Sequence, residues 1–393
     1  MEYKHNFDKI ISRRCTDSGK WNMFPEEFLP MWVADSDFAC PEPIINALKE
    51  RIDHQIFGYP IVLDRFKNSA KYWFETYHAC KIAVEAVVYL PTLLLGMMEC
   101  LYALTNEHDE IAVFSPQYTA FFEAIENTGR KKALVHLKEE NGRFNIDFKV
   151  LEQVLARKTV TALFLCNPHN PTGQVWTYDD LVKISQLCLA HNVIIISDDI
   201  YADVVFTPNC YTPIININEK IKNQSVLLIN PSKVFNIAGL RAAAAIIHNT
   251  ELREKLVNNL AKKKTAEPNI LGMIAFEAAY TKCAWFVPQL LDYLEKNILY
   301  AMNFFQEKMP KISFRKPEAT FLLWIDCRKL FSTQEEVDFF MKEQAKILVN
   351  SGAIYGVEGQ GFVRMNIAVP KRILEEALNR IYSAYQMNGF HTL

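Results

Sequence analysis

Four short apolar runs, each ending on a turn that carries a polar side chain, constrain this chain more than any other feature. They are EIAVFS (110–115) before Tyr118, TALFLC (161–166) before NPHNPTG, VIIIS (193–197) before Asp198, and SVLLI (225–229) before NPSKVFNIAGLR. Each run has the length and β-branched content of a buried parallel strand. In open α/β sheets, ligands gather just beyond the carboxyl ends of the strands. Tyr118, Asn170, Asp198 and Lys233 are therefore expected to meet in one cleft, although they lie far apart in sequence.

At 393 residues the chain exceeds one simple core, and two domains are expected. Half of it is apolar and 22% is charged, the balance of a folded globular protein. A net charge of −2 gives no reason to expect nucleic acid, and the basic run Lys262–Lys264 reads as a solvated helix face. The opening MEYKHNFDKIISRR has no apolar signal segment, and no apolar stretch reaches about 18 residues, so no membrane association is expected. Nine cysteines without a C-x-x-C pair point to a reducing cytoplasm rather than to disulfides or zinc. Cys15, Cys40, Cys80 and Cys166 read as small hydrophobes before they read as reactive thiols.

From Asp64 to Ile247, strand-like and helix-like patterns alternate, the mark of a layered α/β domain. The pattern is helical from Leu271 to Met309, with an interruption near Pro288. ISFRKPEATFLLWID (312–326) reads as strand–turn–strand, and a helix is expected around Thr333–Ser351. GFVRMNIAVP (361–370) gives another strand, and a terminal helix closes near Asn388. The expected division is a large α/β domain over residues 46–287, with its mainly parallel sheet between helices. Residues 1–45 and 288–393 form a smaller α+β domain.

The polar groups share a chemistry. A lysine among apolar and small residues, as Lys233 is, has a lowered pKa and can form a Schiff base with a carbonyl cofactor. Alone, it would read as a surface lysine. A carboxylate at the depth of Asp198 needs a cation, and a protonated pyridine nitrogen is one; a helix cap or a structural ion pair competes. Asp199, by strand alternation, points the other way as a helix or loop charge. Asn170 and Tyr201 can donate to a phenolic oxygen, although NPTG is also a good structural turn. Tyr118 can stack on a ring or sit in the core. Thr92 caps an expected helix, leaving the N–H groups of Leu93 and Leu94 for a phosphate. Ser232 and Arg241 can add to that site, and Arg364 can grip a carboxylate or form a surface salt bridge. Trp32, Phe38 and Trp285 are possible lining residues that read first as core.

NPHNPTG, SDDIY (197–201) and PSKVFNIAGLR (231–241), in this order, resemble the fold-type I pyridoxal phosphate enzymes of the aspartate aminotransferase superfamily. TDSGKW (16–21), MWVADSDFACPEPIINAL (31–48) and IFGYP (56–60) are similar to the opening of the cystathionine β-lyase/C–S lyase branch. The resemblance implies pyridoxal 5'-phosphate as cofactor, Lys233 as its Schiff-base lysine and Asp198 as its pyridine partner. It also implies Asn170 and Tyr201 at the phenolic oxygen, Tyr118 stacked, and Arg364 on the substrate carboxylate, with Ala34 beside the substrate. Tyr59 would reach across a homodimer to the neighbour's phosphate. Three positions depart from the branch. Thr92 stands where a small glycine-containing turn is usual, Tyr201 where histidine is common, and Asn230 where a hydroxyl residue is frequent.

The expected activity is therefore C–S β-lysis of L-cystathionine or a related cysteine S-conjugate, giving thiol, pyruvate and ammonia. An aminotransferase is the alternative, favoured by Tyr201 and Arg241. A cofactor-binding regulatory protein is a third reading, for which so complete a set of groups would be surplus.

Overall fold

The computed structural model describes residues 4–390. Seven strands form the central sheet: β1 Val87–Leu90, β2 Glu110–Ser115, β3 Lys131–His136, β4 Val160–Cys166, β5 Ile194–Asp198, β6 Ser225–Ile229 and β7 Ala243–Ile246. Their order is β1-β7-β6-β5-β4-β2-β3. Only β7 runs against its neighbours β1 and β6; the pairs β6–β5, β5–β4, β4–β2 and β2–β3 are parallel. All four apolar runs are thus strands, and their carboxyl ends lie side by side.

The sheet is buried on both faces, which is why its strands read as continuous apolar runs rather than as alternating ones. Ala112, Phe114, Leu163, Leu165, Ile195, Leu227 and Ile229 enter one core, while Ile111, Val113, Ala162, Phe164, Ile196, Val226 and Leu228 enter the other. Successive side chains point to opposite faces, so one run feeds two cores. Several of the helices around them start on side-chain caps. Thr177 and Asp180 form a reciprocal capping box on Tyr178–Ala190, and Asn249 caps Thr250–Lys263.

A three-stranded antiparallel sheet follows: β8 Leu322–Asp326, β9 Asn350–Ser351 and β10 Phe362–Asn366, with β10 in the centre. The N-terminal segment joins this part, because Leu29–Pro30 pair in parallel with Ile347–Leu348. The terminal helix Lys371–Met387 ends against Asn388 as expected.

Two expectations fail here. Residues 312–326 give one strand, not two; Ser313 makes only an isolated bridge to Asp326. The backbone between them is used elsewhere. The N–H groups of Glu318 and Ala319 both reach the carbonyl of Gly173 at 2.8 Å, and Glu318 O accepts from Phe206 N at 2.9 Å. Gly173 holds φ +67°, a conformation that favours glycine, and so turns the NPHNPTG loop onto this segment. The helix expected to reach Ser351 ends at Gln344. Lys346 turns the chain at φ 55°, and the apolar residues after it pair as strands. The break between helices Ile270–Lys282 and Phe286–Lys308 lies at 283–285, and Pro288 sits in the first turn of the second, where its missing N–H is harmless. Among the described residues, no single helix is long and apolar enough to cross a membrane.

Candidate active site

The carboxyl ends of β1, β2, β4, β5 and β6 open into a cavity of about 460 Å³. Its lining includes Thr92, Leu93, Leu94, Tyr118, Asn170, Asp198, Tyr201, Ser232, Lys233, Arg241, Ala34 and Arg364. Every expected site residue except Tyr59 is in that wall. Tyr59 is fully exposed and is not brought to the cavity of its own chain. Trp32 also lines the cavity, Phe38 is buried in the core, and Trp285 lies outside the lining.

Asp198 ends β5, paired with Cys166 of β4 and Leu228 of β6. It is buried, its carboxylate accepts only the Ile200 N–H at 3.1 Å, and it forms no ion pair among the described residues. Burial pushes its pKa up to about 6, against the pull of that N–H and of Lys233. Lys233 stands on the short helix Ser232–Phe235 directly after β6. Burial and the nearby Arg364 bring its pKa down to about 8. Its Nζ donates to the carbonyl of Ala34 at 2.5 Å. Asn230 Oδ1 accepts from Ser232 N at 2.8 Å, so the position that departs from the branch caps the turn that presents the lysine.

Tyr201 is buried, its hydroxyl has no hydrogen-bond partner among the described residues, and burial pushes its phenol well up. At the end of β1, Thr92 caps helix Leu93–Leu104 through Leu95 N at 3.2 Å. Its hydroxyl is turned onto its own helix, and the first N–H groups of that helix have no partner within it. Arg241 adds an exposed guanidinium to the same wall.

Arg364, on β10, is buried as well. Its Nη1 reaches Asn170 Oδ1 at 3.1 Å, and its Nη2 reaches Trp32 O at 3.1 Å and Asn350 Oδ1 at 2.8 Å. Because a guanidinium only donates, the Asn170 oxygen faces Arg364 and its amide N–H groups face away. Nε of Arg364 is buried without a partner, and no carboxylate pairs with this cation among the described residues.

The sequence reading missed how residues 32–38 are held. Their backbone carbonyls are gripped by side chains from both other parts of the site. Asn236 Nδ2 reaches Ser36 O at 2.9 Å and Phe38 O at 2.8 Å. Asn366 Nδ2 reaches Val33 O and Asp35 O, both at 2.7 Å. Beneath them Arg13 pairs with Asp35 at 2.6 Å and Asp37 at 2.7 Å, and Lys20 pairs with Asp37 at 2.9 Å. Asn366 lies two places after Arg364 on one strand face, a period that could have revealed it. A second missed cluster ties the central sheet to the turn Val357–Gly359 before β10. Glu358 accepts from Ser115 Oγ at 2.5 Å and contacts His136 Nδ1.

Asp199 is not the helix or loop charge expected of it. It is buried, takes the hydroxyls of Ser197 and Tyr211, and has its pKa raised well above the carboxylate range by burial. Alternation does turn Asp199 away from Asp198, onto the face of Ser197, but that face is buried, so the residue is an internal carboxylate.

An unpaired buried carboxylate, an unpartnered buried phenol, a desolvated lysine and free helix N–H groups suit a ligand with a ring cation, a phenolic oxygen, a carbonyl and a phosphate. Pyridoxal 5'-phosphate has all four, and the residues present fit it.

Comparisons with known proteins agree. The model of the family "Aminotransferase class I and II" matches residues 33–381. The chain is 37% identical to "Cystathionine beta-lyase PatB" of Bacillus subtilis, over 96% of this chain and 99% of that one. Among solved structures it is similar to cystalysin from Treponema denticola, which contains the cofactor, with a TM-score of 0.95 and 30% identity over 98% of this chain and all of that one. A PLP-bound putative aminotransferase from Clostridium difficile gives a TM-score of 0.94 and 34% identity, covering 97% of this chain and all of that one. The chain therefore belongs to the class I and II aminotransferase family of pyridoxal phosphate enzymes, in its cystathionine β-lyase/C–S lyase branch.

Proposed function

We propose that this protein is a pyridoxal phosphate-dependent C–S β-lyase that cleaves L-cystathionine or a related cysteine S-conjugate to a thiol, pyruvate and ammonia. The observation that carries this reading is the Lys233 amine, desolvated and held at 2.5 Å by Ala34 O inside the branch's own N-terminal motif. The relatives named as lyases support it.

When bound, the cofactor supplies a ring that takes up the electron pair left as the substrate Cα–H bond breaks. Asp198 would keep the ring nitrogen protonated, and its own burial makes that pairing favourable. Asn170 and Tyr201 would donate to the phenolic oxygen. Tyr118 would cover the ring face. The N–H groups of Leu93 and Leu94, with Ser232 and Arg241, would hold the phosphate, and Thr92 would fix the helix that presents them. Arg364, lacking a carboxylate of its own, would bind the α-carboxylate. Lys233 Nζ, near its working pKa of about 8, would remove the Cα proton as general base. The Cβ–S bond then breaks, the sulfur leaves with its electron pair, and the three-carbon product hydrolyses to pyruvate and ammonia.

A cytoplasmic homodimer is the form we propose. The exposed Ile56, Phe57, Tyr59 and Ile61 support it as a surface that a second copy would cover.

The second reading, an aminotransferase, is favoured by the buried, unpartnered hydroxyl of Tyr201. One assay separates the two. The holoenzyme is given L-cystathionine or a cysteine S-conjugate, with and without a 2-oxo acid. Thiol and pyruvate without acceptor are expected. A new amino acid formed only with acceptor, and no thiol, would overturn the lyase reading.

A further inference from the structure

Residues 317–321 lie outside the strands, yet they touch both loops that carry the donors assigned to the phenolic oxygen. On one side lies the NPHNPTG loop with Asn170. Gly173 O takes the N–H groups of Glu318 and Ala319, and Gly173 N donates to His169 O at 2.9 Å. A Cβ on Gly173 would stand 2.9 Å from Pro317 Cβ and 3.0 Å from Ala319 O, so this contact has no room for a side chain. On the other side lies the turn after β5 with Tyr201. Thr320 N donates to Val204 O at 2.8 Å, and Val204 N to Tyr201 O at 2.9 Å. The Phe321 ring meets the Tyr201 ring edge-on, with centroids 5.5 Å apart. The segment then enters β8, which pairs with β10, the strand of Arg364.

This bridge is held under constraint. Thr320 is fully buried at φ 68°, a conformation that a β-branched residue rarely adopts and that persists only where neighbouring bonds enforce it. Glu318 is the fastening. Its Oε1 accepts from Arg143 at 2.5 Å and from Arg315 at 2.8 Å, and its Oε2 accepts from Val175 N at 2.9 Å. Arg143 also donates to Val175 O at 3.1 Å, so both backbone groups of Val175 are tied to one ion cluster. The Asn170 loop is thereby pinned at Gly173 by the backbone and at Val175 by a side chain. Glu318 itself does not line the cavity.

Resting on the roles given above to Asn170 and Tyr201, we propose that Glu318 is a positioning residue of the cofactor site. Through residues 317–321 it keeps both donors to the phenolic oxygen in place.

The test is made on Glu318→Gln, which keeps the side-chain volume but cannot accept all three bonds. Donors to the phenolic oxygen favour the form of the bound cofactor in which that oxygen's negative charge is uncompensated. The pH midpoint of the cofactor's absorbance change is therefore expected to rise by about half a unit or more, and the apoprotein's affinity for the cofactor to fall about fivefold or more. The charged groups that line the cavity, Asp198, Lys233, Arg241 and Arg364, are left unaltered. Arg143→Met, at a partly exposed position, removes two of the ties and is expected to move both readouts the same way. It decides the matter should Glu318→Gln fail to fold. A lowered melting temperature with both readouts unchanged would make Glu318 a structural brace and overturn the proposal. Tyr201→Phe and Asn170→Ala set the scale. If they raise the midpoint and the Glu318 and Arg143 variants do not, this proposal fails and the donor roles stand. If neither of them raises it, the donor roles fail and this proposal with them. The lyase reading is decided separately, because neither readout depends on which bond is later broken.

Discussion

At the sheet end of the cavity, Asp198, Tyr201 and Lys233 stand on a strand end or the first turn after one, and two of them have polar atoms with no adequate partner among the described residues. At the opposite end, Arg364 is surrounded by carbonyl and amide oxygens, and the segment that supplies the Trp32 carbonyl is held at its later carbonyls by Asn366 and Asn236. The sheet end is costly by itself and waits for a ligand. The other end keeps its shape, with the charge and the Nε of Arg364 left without a partner among the described residues. A protein that must hold a cofactor tightly and exchange substrates quickly gains from that division. The unmet polar groups favour the resident ligand, and the preformed cradle serves the transient one.

Substitutions can break this contrast, beginning at the sheet end. Lys233→Ala is expected to lower turnover by about 10²- to 10⁴-fold, the range of a lost general base. Melting temperature would not fall, because a buried amine is removed. Pyruvate release and thermal unfolding check the two halves; a large loss of stability would mean the lysine is a structural prop.

Asp198→Asn should act in opposite directions on the two forms of the protein. The native carboxyl titrates near 6 against an ordinary 3.8, so the unfolded chain releases its proton first. Stability of the apoprotein therefore falls as pH rises from about 4 to about 6, and the full penalty stands above pH 6. At about 1.4 kcal/mol per pKa unit it is on the order of 3 kcal/mol. The asparagine variant should recover much of that in the apoprotein at pH 8 while binding the cofactor more weakly. Urea unfolding of the apoprotein and cofactor titration measure the two. Destabilisation of the apoprotein by this change would show that Asp198 is not an unpaired charge.

At the other end, Arg364→Ala should raise KM by about 30-fold or more, corresponding to the ~2 kcal/mol lower bound for an unpaired buried charge partner. The effect on kcat should be smaller. A fall in kcat at constant KM would remove Arg364 from substrate binding. Glu358→Gln should have the smallest effect, about 1 kcal/mol of stability or less, because one of its partners, His136, is half exposed. An effect as large as that of Arg364→Ala would mean that the two ends are not independent.

The sheet end was legible in the sequence because its signals are local. An apolar run, a polar residue and a turn announce a strand end, and Thr92 before a helical pattern announces a cap. The resemblance then ordered those residues into one site. The other end left fewer marks. A backbone carbonyl accepting from Asn236 or Asn366 places no demand on side-chain type at 33, 35, 36 or 38. The Ser115–Glu358–His136 cluster joins residues from opposite parts of the chain that no local pattern links. Asp199 was misread because the face to which alternation turns it is buried and not solvated. The strand expected near Ser313 is missing because Glu318 and Ala319 bond to Gly173 instead.

The grip on residues 32–38 also bears on how this stretch tolerates change. Its partners hold oxygens of the main chain, spaced by the backbone itself, with Trp32 O on Arg364, Ala34 O on Lys233 and Ser36 O on Asn236. Replacing a side chain such as that of Val33 leaves all of these oxygens where they are. Inserting or deleting one residue shifts every oxygen beyond the change away from its donor. Mutational scanning of this segment should therefore find it permissive in letter and strict in length.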